Sequence, residues 1–178
     1  MEVGFDLIHY VYLKEAREMV KRHINPCVLK TDCFNEVNAR PIEGGIAGHI
    51  NALTELVEID KDLVEQARKM GFNARVGDIR EDFGRKYDVI LDLSTLDHIS
   101  QEDLPRALDA YKNAMSETAE MLLFVWTAYE MALGNRQTYF DKRILDEELG
   151  KRFRVVSQRG VLRDGIGEMY QYVLCGNI

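Results

Sequence analysis

The chain has little of what would mark several protein classes. Its three cysteines, Cys27, Cys33 and Cys175, are odd in number and show no C-x-x-C spacing. That pattern suggests neither a disulfide framework nor a zinc site, so the thiols are expected to be reduced and no metal ligand set is expected. Long apolar runs are missing as well. The longest, residues 121–126 (MLLFVW), is far shorter than the roughly 20 residues a spanning helix needs. Near the amino terminus stand Glu2 and Asp6, where a secretory leader would carry Lys or Arg, so a soluble, cytoplasmic protein without membrane contact is expected. Positive charge is in deficit, 23 Lys and Arg against 30 Asp and Glu, for a net charge of −7. A phosphate backbone is repelled by that balance, and the clusters Lys21-Arg22-His23 and Lys151-Arg152-Phe153-Arg154 read as solvated element ends, so no nucleic-acid partner is expected. G-x-G-x-x-G is absent from residues 31–36, which argues against a nicotinamide-dependent dehydrogenase.

What is present describes a folded protein. Hydrophobic residues at 46% and charged residues at 30% of 178 positions suit one globular core. A single domain over residues 27–178 is expected, preceded by a helical lead-in over residues 1–26. In the lead-in, Tyr10, Leu13, Ala16 and Val20 share a helical face, and Asn25-Pro26 stops the helix. Cys27-Val28-Leu29 then reads as a strand. Residues 31–48, with Pro41, Gly44, Gly45 and Gly48, read as a loop, followed by a short helix over residues 50–54. Leu56-Val57-Glu58-Ile59-Asp60 is a second strand; Leu63, Val64, Ala67 and Met70 form a helix face closed by Gly71. Ala74-Arg75-Val76 and the run YDVIL from Tyr87 are the third and fourth strands. A capping box at Ser100 and Asp103 opens a helix bearing Leu104, Leu108, Tyr111 and Met115. Residues 121–126 are the fifth strand, and Ile144, Leu145 and Leu149 mark a helix ended by Gly150. Residues 153–157 and 169–174 pair as a hairpin around Asp164-Gly165. The whole predicts an α/β fold: a Rossmann-like, mostly parallel sheet of seven strands with a terminal antiparallel hairpin and helices on both faces.

Chemistry is expected just past the fourth strand. Asp92, Ser94, Thr95, Asp97 and His98 crowd there, where an open α/β sheet places its ligand crevice. With these motifs in place, the chain from about Val28 onward resembles the class I S-adenosylmethionine-dependent methyltransferases. The resemblance implies S-adenosyl-L-methionine as cofactor. VEID is similar to the element that holds the ribose, with Asp60 in that role and Lys61 beside it; a carboxylate suits a vicinal diol because charge-assisted hydrogen bonds are the stronger kind. Val76-Gly77-Asp78-Ile79 is similar to the adenine-binding element, with Asp78 as acceptor and Ile79 packing on the ring. YDVILDLSTLDHI resembles the fourth motif and brings Leu93, Ser94 and Thr95 to the cofactor; STLDHI is its most specific part. VLKTDCFNE resembles the first motif in altered form, with Asp32-Cys33-Phe34 in place of glycine-x-glycine. Thr31 and Asp32, or the Gly44-Gly45 loop, would then hold the methionine moiety.

The activity implied is methyl transfer to a small molecule or a side chain, with a cofactor-binding protein or partner subunit lacking catalysis as the alternative. If the acceptor needs a general base, His98 is the first candidate because histidine titrates near working pH, with Asp97 and His9 behind it. The lead-in helix, through His9, Tyr10 and Tyr12, and residues 127–140, through Tyr129, Arg136 and Tyr139, are the candidate lids. Self-association into a homodimer is left open.

Overall fold

A strand that is apolar at consecutive positions has to be covered on both faces. β4 (Tyr87–Leu93) has that pattern, and every residue in it except Asp88 is buried. The computed structural model, which describes residues 3–38, 42–128, 140–163 and 167–176, places β4 in the middle of an eight-stranded sheet. The other strands are β1 (Cys27–Lys30), β2 (Leu53–Glu58), β3 (Asn73–Val76), β5 (Met115–Ala128), β6 (Phe140–Asp141), β7 (Arg154–Arg163) and β8 (Gly167–Cys175). Their order is β3-β2-β1-β4-β5-β8-β7, with the short β6 beside the end of β5. The pairs among β1 to β6 are parallel, and β8 runs antiparallel to both β5 and β7. This is the expected mostly parallel sheet with a closing hairpin, enlarged by the two-residue β6.

The helices are α1 (Val3–Val20), α2 (Phe34–Asn38), α3 (Lys61–Lys69), α4 (Leu104–Ala114) and α5 (Lys142–Arg152). Successive strand residues point to opposite faces, and β4 divides the core accordingly. Val89, Leu91 and Leu93 join Tyr12, Leu13, Ala16 and Met19 of α1 in one cluster. Ile90 joins Leu104, Leu108 and Tyr111 of α4 and Leu145 and Leu149 of α5 in the other. Each fully buried aliphatic side chain contributes about 1.5 to 3 kcal/mol, so these two layers set the sheet rigidly and fix where its strands end. Among the described residues no helix is long and apolar enough to cross a membrane.

Several local expectations need correction. Residues 50–54 form no helix: a single 3-10 turn at Ala47–His49 comes earlier, and Leu53 and Thr54 are already in β2, paired with Cys27 and Val28. Residues 31–48 are not all loop, because the Asp32 carboxylate accepts the Phe34 N–H and α2 follows. α5 continues through Gly150 to Arg152, which Glu148 and Asp109 hold by ion pairs. β5 is longer than residues 121–126 because β8 pairs with it from Glu120 to Ala128 and β4 reaches back to Met115. The proposed turn at Asp164-Gly165 and most of the lid at residues 127–140, with Tyr129, Arg136 and Tyr139, lie outside the described residues.

Candidate functional site

β1, β2, β3 and β4 end at one edge of the sheet, and the chain leaving each of them lines a cleft of about 130 Å³. Glu58, the last residue of β2, stands on its wall. Oε1 accepts the Asp60 N–H at 3.0 Å and Oε2 accepts the Cys33 N–H at 3.3 Å, which fixes the carboxylate and leaves lone pairs for a ligand. Asp60 is outside the lining. Its Oδ1 accepts the N–H groups of Asp62 at 2.8 Å and Leu63 at 3.3 Å, so the carboxylate caps α3. Lys61 opens the same helix, exposed and away from the cleft.

From β3 come Gly77, Asp78, Ile79 and Arg80. A Cβ on Gly77 would sit 2.8 Å from Val57 Cγ1 and 3.0 Å from Arg75 Nη1, so a side chain there would have to displace both. Ile79 is buried. Asp78 is gripped by Arg80: the Arg80 N–H donates to Oδ1 at 2.9 Å, Nε to both oxygens, and Nη2 to Oδ2 at 2.5 Å. Those bonds hold the Asp78 carboxyl below the usual carboxylate range, and Arg80 reaches on to Asp103 at 2.8 Å. Thr95 and the exposed His98 line the cleft from the β4 side.

At the altered first motif an ion cluster replaces the glycines. Lys30 ends β1 with its side chain fully buried. Its ammonium donates to the Asp32 carbonyl at 3.1 Å and to Glu36 Oε2 at 3.0 Å, and it pairs with Asp32 Oδ1 at 2.8 Å. Burial works against the ammonium, but the two carboxylates more than reverse that and raise its pKa. Burial likewise pushes the Glu36 carboxyl up, with Lys30 opposing. Glu36 Oε1 accepts the Ala47 N–H at 3.0 Å, and Gly45, at φ +62°, lies against the Glu36 backbone. Asp32 and Gly45 therefore serve this cluster; neither they nor Gly44 line the cleft, whereas Thr31 does. A tie crosses from β4 to β1: Thr95 Oγ1 donates to the Thr31 carbonyl at 2.6 Å and lies 3.4 Å from Asp32 Oδ2.

A second polar group lies on the α1 side. Ser94 takes φ +72°, a strained setting for a non-glycine residue, and its hydroxyl is 2.8 Å from that of the buried Tyr12. Asp97 is buried, with Oδ1 accepting the Trp126 N–H at 2.9 Å and Oδ2 making no hydrogen bond. Burial raises its pKa well above the ordinary value, partly offset by the Trp126 N–H. Asp92 is buried too, accepting from the Thr95 and Leu96 N–H groups and from the Tyr111 hydroxyl, and burial still pushes it up to about 6. Leu93 packs in the core facing α1.

These shifts have a defined sign. The folded state keeps the Asp92 proton up to about pH 6, whereas the unfolded chain releases it near 3.8. The contribution to stability is thus complete below 3.8 and is lost as pH rises through about 6. Thermal melts across that window should show wild type losing stability relative to Asp92→Asn; parallel curves would refute the assignment.

The cleft brings together Thr31, Asp78, Ile79, Thr95 and His98 of the expected residues, and leaves Asp32, Gly44, Gly45, Asp60, Lys61, Leu93, Ser94 and Asp97 outside its lining. Glu58 and Arg80 were not anticipated. The first was legible: an aspartate immediately before Lys61-Asp62-Leu63 is an N-cap by preference, which makes Glu58 the carboxylate at the strand end.

No family model matches the chain, and no curated protein sequence matches it. Solved structures do. A TehB-like SAM-dependent methyltransferase from Corynebacterium glutamicum is 14% identical, covering 98% of this chain and 91% of its own, with a TM-score of 0.70. Magnesium protoporphyrin IX methyltransferase from Synechocystis, with bound S-adenosylhomocysteine, is 16% identical over 95% of this chain and 84% of its own, TM-score 0.68. An S-adenosylmethionine-dependent methyltransferase from Clostridium acetobutylicum is 11% identical over 97% and 92%, TM-score 0.65. The fold is that of these methyltransferases.

Proposed function

We propose that the cleft binds the adenosyl group of S-adenosylmethionine and that the protein transfers the methyl group to a small molecule or side chain. The observation that carries this reading is the arrangement of the lining: Glu58 at the end of β2 and Asp78-Ile79 after β3 line the same cleft. A fixed carboxylate with free lone pairs suits the two ribose hydroxyls. Ile59 and Ile79 supply apolar surface for the base, and Gly77 lets it approach the backbone. The nucleoside half of the cofactor fits the residues present. When bound, the cofactor brings an already activated methyl group, so the chain's task is mainly alignment and exclusion of water. Tyr12, Ser94 and Asp97 are the polar groups on the α1 side where an acceptor would be oriented. His98 lines the same cleft and is the candidate base if the acceptor needs one.

Calorimetry with S-adenosylhomocysteine tests the reading. Glu58→Gln should weaken binding about 10- to 150-fold, the loss of a charge-assisted contribution of about 1.5 to 3 kcal/mol. Absence of binding to the wild-type protein would overturn the proposal. A second reading, binding without turnover, is favoured by the ion cluster at Lys30 in place of the glycine loop; it predicts binding with no methylated product across acceptor libraries.

A further inference from the structure

We propose that a second cavity, at the opposite edge of the sheet from the cleft, binds a monocarboxylate with an apolar body through Arg17. The site goes beyond the adenosyl reading and does not depend on it. Its volume is about 490 Å³, within the range of sites that take small organic molecules. The turn from α1 into β1 and the residues leading into β2 line it, so it lies before the first residues of two strands whose far ends meet the cleft.

Arg17 is oriented before any ligand arrives. Among the described residues it has no carboxylate partner; its Nε donates to the His49 carbonyl at 3.0 Å and its Nη2 faces His49 Nδ1 at 3.4 Å. His49 Nε2 lies 2.7 Å from the Glu43 carbonyl, which can only accept. Nε2 therefore carries the ring proton, and Nδ1 is left to accept from Arg17. That neutral imidazole and its own carbonyl take the Nε–Nη2 edge of the guanidinium. The Nη1–Nη2 edge, with two parallel N–H groups, remains for a ligand, and a carboxylate matches such a fork with two charge-assisted bonds.

The ligand's charge follows from the neighbours. Lys21 is paired with Glu18 at 2.8 Å and His23 with Glu120 at 3.1 Å, and among the described residues no acidic side chain lines the cavity. One uncompensated positive charge is offered, which a monoanion balances and a dianionic phosphate exceeds. The net charge of −7 opposes any surplus negative charge at longer range. An apolar body is called for by the rest of the lining: Val20, Pro26 and Ile50 are buried, and Ile24 stands 95% exposed where such a body would cover it.

The test titrates octanoate, cyclohexanecarboxylate and phenylacetate by calorimetry at about 10 mM salt, where an exposed guanidinium is little screened, with backbone amide shifts to locate the site. At least one acid should bind saturably and shift the amides of Val20, His49 and Ile50. Arg17→Gln should weaken it about tenfold or more, and Arg17→Lys, which keeps the charge and loses the fork, nearly as much. The matching carboxamide, neutral and of the same shape, and inorganic phosphate should each bind the wild-type protein about tenfold more weakly than the acid. The inference falls if none of the three acids binds, if the shifts appear at Thr31 and Ile79 of the cleft instead, if amide or phosphate binds as well as the acid, or if either Arg17 variant binds as wild type does. Each of those results leaves the adenosyl reading standing, because that reading is tested at Glu58 with S-adenosylhomocysteine.

Discussion

Lys30→Met is expected to cost the fold about 3 to 5 kcal/mol, the loss seen when one partner is removed from a buried ion pair. The methionine fills much the same volume, so packing is not the issue. What remains is a buried Glu36 carboxyl whose Oε2 loses its donor, beside an Asp32 whose backbone carbonyl loses its donor and whose Oδ1 keeps only the Phe34 N–H. Ordinary stabilities are about 5 to 15 kcal/mol, so the variant should be near the edge of folding. Urea denaturation measures it. Replacing the pair together is milder: in Lys30→Met with Glu36→Gln, the glutamine oxygen still accepts the Ala47 N–H, and the carboxylate left without its ammonium is Asp32, which is partly exposed and keeps the Phe34 N–H, so most of the loss should be recovered. A single variant as stable as wild type would show that the cluster contributes nothing net.

That cluster also marks where reading the sequence reached its limit. The sheet was legible because its information is local. Runs such as YDVIL state burial on both faces, and acidic residues after three successive strands state that the strand ends share one rim. The site was legible to the strand, and to the residue only where the element that follows was read with it. Asp60 and Glu58 are both acidic and two positions apart, and only the start of α3 decides that one caps a helix while the other faces the cleft. Arg80 shows the same limit from another direction. Its grip on Asp78 depends on a turn that brings residue 80 back to 78 and on Asp103 arriving from the far side of β4. Lys30, Glu36 and Gly45 meet only when a loop of unpredicted shape folds back on β1.

The electrostatics of the rim follow from these placements. Asp32, Glu36, Asp92 and Asp97 all lie near the ends of β1 and β4, and only one of the four sits directly on an ammonium at its oxygen without full burial. Burial raises Glu36, Asp92 and Asp97, with Lys30 opposing it at Glu36 and hydrogen bonds opposing it at Asp92 and Asp97. On the cleft side Asp78 is fixed by Arg80, and Glu58 by two backbone N–H groups. The carboxylate we propose for the ribose is thus one that is positioned by N–H groups and has no buried ion pair.

Gly45→Ala should be almost as damaging as Lys30→Met, and its control sits one residue away. At φ +62° an alanine pays about 1 to 2 kcal/mol for the left-handed backbone. Its Cβ would also stand 2.7 Å from Glu36 Cα, 2.8 Å from Glu36 N and 3.0 Å from the Asn35 carbonyl carbon. Those are backbone atoms of α2 and cannot rotate aside, so the helix must shift and draw Glu36 away from Lys30 and Ala47. Overpacking of this kind adds about 1 to 3 kcal/mol, for a total of about 2 to 5 kcal/mol. Gly44 has φ +76° but open space where its Cβ would lie, so Gly44→Ala should pay the backbone cost alone. Urea midpoints for the two variants, with hydrogen exchange at the Ala47 amide, separate the contributions: the amide should lose protection in Gly45→Ala and keep it in Gly44→Ala. Equal midpoints and equal protection would mean that the Gly45 loop does not press on α2, and that the ion cluster is held together without it.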